Sequence, residues 1–156
     1  MTGVQTCALP ICKMEESLTY LKEQFELPDV DVKSYSPLVL AYIGDGIYEL
    51  VIRTAVVGQG NRQANALHKK TSTYVKASAQ AAMMEAILED LTEEELAVYK
   101  RGRNAKTVSM AKHATMHDYR HATGFEALMG YLYLNHQMKR LIDLVKLGME
   151  RTEGMP

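Results

Sequence analysis

The chain has 156 residues, of which 47% are hydrophobic and 24% are charged, and its formal net charge is −1. This length is enough for one domain that buries a core without metal ions or disulfides, and the mixed composition excludes a disordered or low-complexity chain. A net charge near zero excludes a strongly basic protein, so any affinity for nucleic acid has to come from local clusters of charge.

The opening residues, MTGVQTCALPIC, show neither a helical nor an alternating apolar period, and no basic segment precedes a long apolar core. They do not have the pattern of a signal peptide and resemble translated sequencing-adapter DNA. We therefore predict that residues 1–13 are a disordered, non-native leader and that residues 14–156 form a single domain. Because the only cysteines, Cys7 and Cys12, lie in this leader, we expect a cytoplasmic protein without disulfides.

Turn residues and helix caps divide the rest of the chain, and no alternating apolar run bounded by turns predicts a strand, so the class should be all-α. Ser36 and Pro37 place a capping side chain and a proline at the start of the longest apolar helix, which Gly58 ends. Thr92 and Glu95 form a capping box at the start of a later helix. We predict helices over residues 14–25, 37–57, 61–70, 71–91, 92–102, 119–135 and 137–150.

The helix over residues 37–57 contains an apolar run with three charges, LAYIGDGIYELVIR. Asp45, Glu49 and Arg53 follow one another at intervals of four and therefore share one face of the helix. A membrane span would place these charges in the bilayer at about 2.5–3.5 kcal/mol each, which argues against it. A surface salt bridge between Glu49 and Arg53 would explain two of the charges but would leave Asp45 unexplained.

Asp45 lies between two glycines, and each glycine costs on the order of 1 kcal/mol relative to alanine in a helix, so we expect another part of the chain to approach the backbone here. Glu126 is the only charged side chain in ATGFEALMGYLYL, residues 122–134. Two such lone carboxylates could share one Mg²⁺ together with waters and phosphate oxygens, an arrangement that suits phosphodiester hydrolysis. The alternative is a structural Glu126 that is hydrogen-bonded within the protein.

Basic residues gather at the end of the helix over residues 92–102 and in the following loop, which we predict to cover 103–118. A protein that has no separate RNA-binding domain must hold duplex RNA through the phosphates and 2′-hydroxyls of the RNA, and Lys and Arg side chains suit this task. The alternative is a C-terminal helix cap with a solvated loop. The candidates are Lys100, Arg101, Arg103, Asn104, Lys106 and Lys112, and His68 and Lys69 could add phosphate contacts.

His113, His117 and His121 are also spaced at intervals of four, which on a helix would suit a zinc site. They lie in and beside the predicted loop, and Asp118 is the only carboxylate that accompanies them in the sequence. The spacing alone therefore does not predict zinc.

Several of these stretches resemble one enzyme family. LAYIGDGIYELVIR resembles the signature helix of ribonuclease III, and FEALMGYLYL resembles its second catalytic helix. Together with ALHKKTS, KRGRNAK and YRHATGFEALMGYLYL, they resemble Mini-ribonuclease III, the short form that lacks a double-stranded-RNA-binding domain. The resemblance runs from about Leu38 to Leu134, which is most of the body of the chain.

This resemblance implies the ribonuclease III endonuclease fold, a homodimer with one Mg²⁺ site per subunit, and cleavage of both strands of duplex RNA. In bacteria it implies trimming of the large-subunit (23S) rRNA precursor, and an accessory ribosomal protein is a further partner to test for. Asp45 would be the catalytic aspartate and Glu126 the catalytic glutamate, and both would bind the metal. The KRGRNAK segment, with Arg101, Arg103, Asn104 and Lys106, would contact the substrate.

Two positions depart from the longer ribonuclease III enzymes, which carry acids where this chain has Ala41 and Thr123. The short form shares both gaps, but they leave the metal with few protein ligands. Two other interpretations therefore stay open: a catalytically inactive RNA-binding or ribosome-associated module with the same fold, and an unrelated helical interaction protein.

Overall fold

A computed structural model describes residues 13–106 and 115–152. Within this part of the chain the protein is all-α, which confirms the predicted class. Two short 3₁₀ turns lie at Val32–Ser34 and Leu88–Asp90. The α-helices are α1 (Lys13–Gln24), α2 (Pro37–Gly58), α3 (Ala64–Val75), α4 (Ala77–Ile87), α5 (Glu93–Asn104), α6 (Met116–Leu134) and α7 (Met138–Arg151).

Helix α6 is the centre of the fold and packs against α2, α4, α5 and α7. Every residue from 122 to 132 is buried except Glu126, which is partly buried. A helix that is apolar on all sides belongs in a core, so α6 is surrounded because its sequence offers no polar face in this stretch. A single carboxylate in such a helix must therefore point into a specific opening between its neighbours.

Helices α2 and α6 cross with their backbones in direct contact. A Cβ atom on Gly44 would overlap the backbone carbonyl oxygen of Glu126, and a Cβ atom on Gly130 would overlap that of Leu40. The close approach expected beside Asp45 is therefore confirmed at Gly44. At Gly46 it is wrong, because a Cβ atom there would meet nothing within 4 Å.

Local capping signals place two helix starts as predicted. The Ser36 side chain accepts a hydrogen bond from the Val39 N–H at 3.3 Å at the start of α2. Thr92 and Glu95 form the reciprocal capping box of α5, with distances of 2.8 and 3.2 Å. Among the described residues, no helix combines the length and apolar character required to cross a membrane.

Other boundaries differ from the predictions for reasons of packing. The break between α3 and α4 falls at Lys76 rather than at 70/71, and the buried Gln80 side chain donates to the Val75 carbonyl at 2.9 Å to satisfy the end of α3. Helix α5 continues past Gly102 to Asn104, because Gly102 serves contact with α6 and does not end the helix: a Cβ atom there would lie 2.9 Å from the Gly124 Cα.

The predicted loop over 103–118 is also too long. Helix α5 extends to Asn104, and α6 starts at Met116, where Thr115 accepts a hydrogen bond from the Asp118 N–H at 3.0 Å. Arg103 and Asn104 are thus helical. Lys112 and His113 lie outside the described residues, as does the expected disorder of residues 1–12, while Lys13 already belongs to α1.

Candidate active site

Asp45 and Glu126 line the same cleft, which has a volume of about 470 Å³. Helix α2 contributes Ala41 and Asp45 to its wall, and α6 contributes Tyr119, Thr123 and Glu126. The glycine contact between the two helices produces this arrangement, since Gly44 touches the backbone of Glu126 and Asp45 is the next residue of α2. The structure therefore brings the two lone acids of the sequence together.

The two carboxylates differ in their surroundings. Burial raises the pKa of Glu126 to about 8, and the negative charge of Asp45 adds to this, while hydrogen bonding from Gln80 acts in the opposite direction. Asp45 is exposed as a residue, but its carboxyl group is partly enclosed. Desolvation is the larger cause that raises its pKa, and the negative charge of Glu49 is the smaller one. Both carboxyl groups thus resist ionisation in the protein alone.

Neither carboxylate forms a salt bridge with any residue in 13–106 or 115–152. Arg53, the nearest cation along the same face of α2, pairs with Glu49 at 3.5 Å, which confirms the predicted surface pair and leaves Asp45 without it. Two adjacent acids without a basic partner are what a divalent cation would neutralise.

The chemistry of the cleft fits a hard cation better than a soft one. Its two charged side chains offer carboxylate oxygens, which Mg²⁺ prefers, together with space for waters. The Ala41 side chain has no atom that could bind a metal. The Thr123 hydroxyl is neutral and donates a hydrogen bond to the Tyr119 carbonyl at 2.9 Å. Two carboxylates are consequently the charged ligands that this cleft can supply.

Gln80 on α4 does not line the cleft, but its side chain is close enough to Glu126 to lower the Glu126 pKa by hydrogen bonding, and the sequence did not identify it. It is 1% exposed, its amide nitrogen donates to the Val75 carbonyl at 2.9 Å, and its Oε1 has no hydrogen-bond partner among the described residues. A buried unpaired oxygen costs free energy unless water or another donor reaches it. A polar residue at the centre of the alanine-rich stretch ASAQAAMM was the available signal.

The basic end of α5 lies against one wall of the cleft. A Cβ atom on Gly102 would stand 3.1 Å from the carbonyl oxygen of Thr123, which itself lines the cleft. Arg101 donates to the Tyr35 carbonyl at 3.1 Å and so also ties α5 to the segment before α2. Arg103 lies over the Tyr99 ring, 5.5 Å from its centroid.

The other proposed RNA contacts have different positions. Lys100, Asn104 and Lys106 are exposed around the same end of α5, and the Asn104 side chain accepts a hydrogen bond from Arg103 at 3.2 Å. His68 and Lys69 are exposed on α3, where His68 lines a separate 130 Å³ cavity with Arg53 and other residues of α2 and α3. The structure therefore does not bring His68 to the cleft of the acid pair.

The fold and the site together define an all-helical protein with a carboxylate pair at the crossing of its two central helices and a basic helix end beside it. This is the arrangement expected of a metal-dependent hydrolase that acts on a polyanion.

Comparison with known proteins identifies the family. Residues 38–137 match the Ribonuclease III domain family. Mini-ribonuclease 3 of Thermoanaerobacter sp. is 47% identical over 141 residues, which are 90% of this chain and 99% of that protein. Mini-ribonuclease 3 of Enterococcus faecalis is 52% identical over 117 residues, 74% of this chain and 89% of that protein. A crystal structure of a Fusobacterium nucleatum protein has a TM-score of 0.68 and 32% identity, covering 75% of this chain and 93% of its own.

The chain therefore belongs to the ribonuclease III family, in its Mini-ribonuclease 3 branch, and is an endoribonuclease. This confirms the resemblance and the helical fold predicted from the sequence. The matched segment includes Asp45, Glu126 and the basic end of α5.

Proposed function

We propose that this endoribonuclease is Mg²⁺-dependent, cleaves double-stranded RNA, and uses Asp45 and Glu126 as its metal ligands and catalytic residues. The observation that carries this proposal is the convergence of the two acids in one cleft without a basic partner in the described residues, with the pKa of Glu126 raised to about 8. Such a pair is stable in its ionised form only when a cation joins it.

Bound between these carboxylates, Mg²⁺ would supply a polarised water for attack on phosphorus and would offset charge on the leaving oxygen. The residues of the chain have separate roles around it. Burial raises the pKa of Glu126 to about 8, which favours its protonated form without a cation, and it would lose the proton on binding one. Asp45 is exposed on α2, and a phosphodiester would approach from that side.

The RNA would lie across the cleft and along the end of α5. Duplex RNA offers its phosphates and 2′-hydroxyls to a protein of this size, and exposed Lys and Arg side chains suit that surface. The proposed contacts beside the cleft are Lys100, Arg101, Arg103, Asn104 and Lys106. His68 and Lys69 would contact a more distant part of the same duplex from α3.

A second copy of the chain would complete the enzyme, since one cleft cuts one strand. Helix α2 exposes apolar side chains next to the cleft, with Leu38 40%, Val39 46%, Tyr42 83% and Leu50 49% exposed. We propose this face as the homodimer contact, because burying it stabilises association. The expected substrate, the 23S rRNA precursor in the cytoplasm, and an accessory ribosomal protein are proposed from family resemblance.

The test of the activity is cleavage of a perfectly paired RNA stem by the chain and by Asp45→Asn, over a range of Mg²⁺ concentrations and in EDTA. We expect cleavage only with the divalent ion, and a loss of at least about 10³-fold in Asp45→Asn with an unchanged circular dichroism spectrum. Glu49→Gln is the matched control, because it removes a carboxylate one turn away that is paired with Arg53. It should retain activity.

Undiminished cleavage in EDTA or by Asp45→Asn would contradict the mechanism. Tight RNA binding without cleavage by the intact chain would instead support an inactive RNA-binding module. The dimer is tested separately by light scattering: Tyr42→Arg should give monomers, whereas Tyr20→Arg, at an exposed tyrosine of α1, should leave the mass unchanged.

A further inference from the structure

Two histidines and a glutamate lie together near the N-terminal end of α6. His117 and His121 occupy its first two turns, and Glu85 is on the neighbouring helix α4. One ligand atom from each of the three side chains lies within 4.8 Å of the other two. The Nε2 atom of His117 is 3.5 Å from a Glu85 oxygen, and the two imidazole rings are 4.1 Å apart between centroids.

Both imidazoles are oriented through their other ring nitrogen. The Nδ1 atom of His121 lies 2.8 Å from the Tyr99 hydroxyl, and the Nδ1 atom of His117 lies 3.5 Å from an Asp118 oxygen. Because these partners occupy Nδ1, each histidine can offer Nε2 to a metal. Histidine ligands of metals usually have such a hydrogen-bond partner on the second nitrogen, which fixes the ring and its tautomer.

The spacing is close to what a metal requires. In a tetrahedral site with bonds of roughly 2.0–2.2 Å, neighbouring ligand atoms stand roughly 3.4 Å apart. The separation of His117 and Glu85 is already 3.5 Å, and these side chains are 60% and 55% exposed, so they can rotate to close the rest.

We propose that Glu85, His117 and His121 form a binding site for a late first-row divalent cation of the Zn²⁺ type, with a fourth position open to water. Imidazole nitrogens favour such ions over Mg²⁺. The site is separate from the carboxylate cleft, whose lining includes none of these three residues. A bound ion would link α4 to the first turns of α6 and so hold together the two helices that carry Gln80 and Glu126.

The histidine spacing in the sequence did not by itself predict zinc, and the proposal rests on the geometry that the structure adds. His117 and His121 are on one helical face because α6 begins at Met116 and not at residue 119. Glu85, more than thirty positions earlier in the chain, is the third residue of the proposed site. His113 lies outside the described residues.

The test measures Zn²⁺ binding by the full, untagged chain in competition with a chromophoric chelator, with Mg²⁺ present in excess to occupy the carboxylate cleft. Cys7→Ser and Cys12→Ser are included throughout, because two thiols are themselves zinc ligands. We expect one equivalent to bind. His117→Gln and Glu85→Gln should each weaken the affinity at least about tenfold.

Matched controls remove the same chemical groups elsewhere. His136→Asn removes an imidazole at a position with φ of 58°, which asparagine tolerates, and Glu89→Gln removes an exposed carboxylate one turn beyond Glu85. Both should bind Zn²⁺ as the parent does. Co²⁺ should give the visible absorption of a low-symmetry site in the parent and lose it in His117→Gln.

Thermal unfolding provides a second measurement that does not depend on RNA cleavage. At one fixed Zn²⁺ concentration, Zn²⁺ should raise the Tm of the parent and of both controls, and should raise that of His117→Gln or Glu85→Gln by less. Equal Zn²⁺ affinity in the parent and in these two variants would overturn the proposal, as would the absence of saturable binding or full competition by millimolar Mg²⁺. None of these results bears on the activity assigned to Asp45 and Glu126.

Discussion

Glu95 and Glu126 are two glutamates in neighbouring helices, and their surroundings shift their pKa values in opposite directions. Burial alone would raise the pKa of Glu95, but hydrogen bonds from Arg140 and from the Thr92 N–H outweigh it and lower the pKa. The Arg140 bonds are bidentate, at 2.8 and 2.9 Å, and Glu95 is 4% exposed. Glu126 has no such partner in the described residues, and its pKa is raised.

The difference separates a structural acid from one that is available for chemistry. At Glu95, the protein itself provides the donors that stabilise the charge, so the carboxylate is committed to holding α5 against α7. At Glu126, hydrogen bonding from Gln80 does not offset the cost of burial, and the like charge of Asp45 raises the pKa further. Burial of an acid therefore does not predict function by itself; the absence of an internal partner does.

The substitution with the largest effect on cleavage should be Glu126→Gln. Glu126→Gln removes a proposed metal ligand, and we expect duplex RNA cleavage to fall by at least about 10³-fold. Because glutamine is isosteric and does not ionise in the buried position, the free energy of unfolding in EDTA should stay the same or rise. Chemical denaturation and a cleavage assay on the same preparation check both. A variant that stays active, or that unfolds more easily, would contradict a catalytic Glu126.

The second prediction concerns the structural glutamate, Glu95, and the stability of the fold. Glu95→Gln leaves the Arg140 guanidinium without its carboxylate, and we expect a loss of about 3–5 kcal/mol in the free energy of unfolding. Cleavage per folded molecule should be unchanged, since Glu95 is outside the cleft. Glu94→Gln is the control: Glu94 is exposed and pairs with the exposed Lys33, so its loss should be much smaller. Equal losses in the two variants would show that the Glu95–Arg140 pair stabilises the fold no more than the exposed Glu94–Lys33 pair does.

The third prediction concerns how the free energy of unfolding depends on pH. Glu126 has a folded pKa of about 8 against an ordinary value of 4.5, so its contribution to stability is fully present below about pH 4.5 and is lost as the pH rises through 8. In EDTA, wild type should therefore lose on the order of 3 kcal/mol relative to Glu126→Gln between pH 5 and 8. Glu95, whose pKa is lowered, should act oppositely and lose its contribution as the medium becomes acidic.

Denaturant titrations at several pH values, with and without Mg²⁺, measure this slope. Mg²⁺ should flatten it by stabilising the ionised pair. Identical slopes for wild type and Glu126→Gln would mean that the carboxyl group of Glu126 ionises in the folded protein as it does in the unfolded chain.

The sequence predicted those features of the fold that neighbouring residues determine. The caps at Ser36 and Thr92 are local hydrogen bonds, and both are present. The meeting of Asp45 and Glu126 was also predictable, because each is a lone charge in an apolar helix and each requires a partner. Helix ends fixed by tertiary contacts were not predictable: Gly102 has the appearance of a stop signal, yet it serves close packing with α6.

The parts of the site that the sequence missed carry no charge or depend on long-range contact. Gln80 is neutral, and its only local signal is a polar side chain in an alanine-rich helix; the packing of α4 buries it with an unpaired oxygen and brings its side chain to Glu126. Glu85 appears as one of many surface acids until α4 and α6 pack together. Pairwise spacing in a sequence identifies residues on the same helix face and cannot identify those that meet across helices.

The last prediction concerns the two glycines beside Asp45, of which only Gly44 contacts α6. Gly44→Ala places a Cβ atom on the Glu126 carbonyl, and we expect α2 and α6 to separate at a cost of about 2 kcal/mol. The wider spacing of the carboxylates should also raise the Mg²⁺ concentration needed for cleavage. Gly46→Ala is the matched control in the same helix: with open space around it, alanine should be neutral or stabilise by up to about 1 kcal/mol. If both substitutions had the same effect on unfolding, backbone contact at Gly44 would not be what holds the cleft in shape.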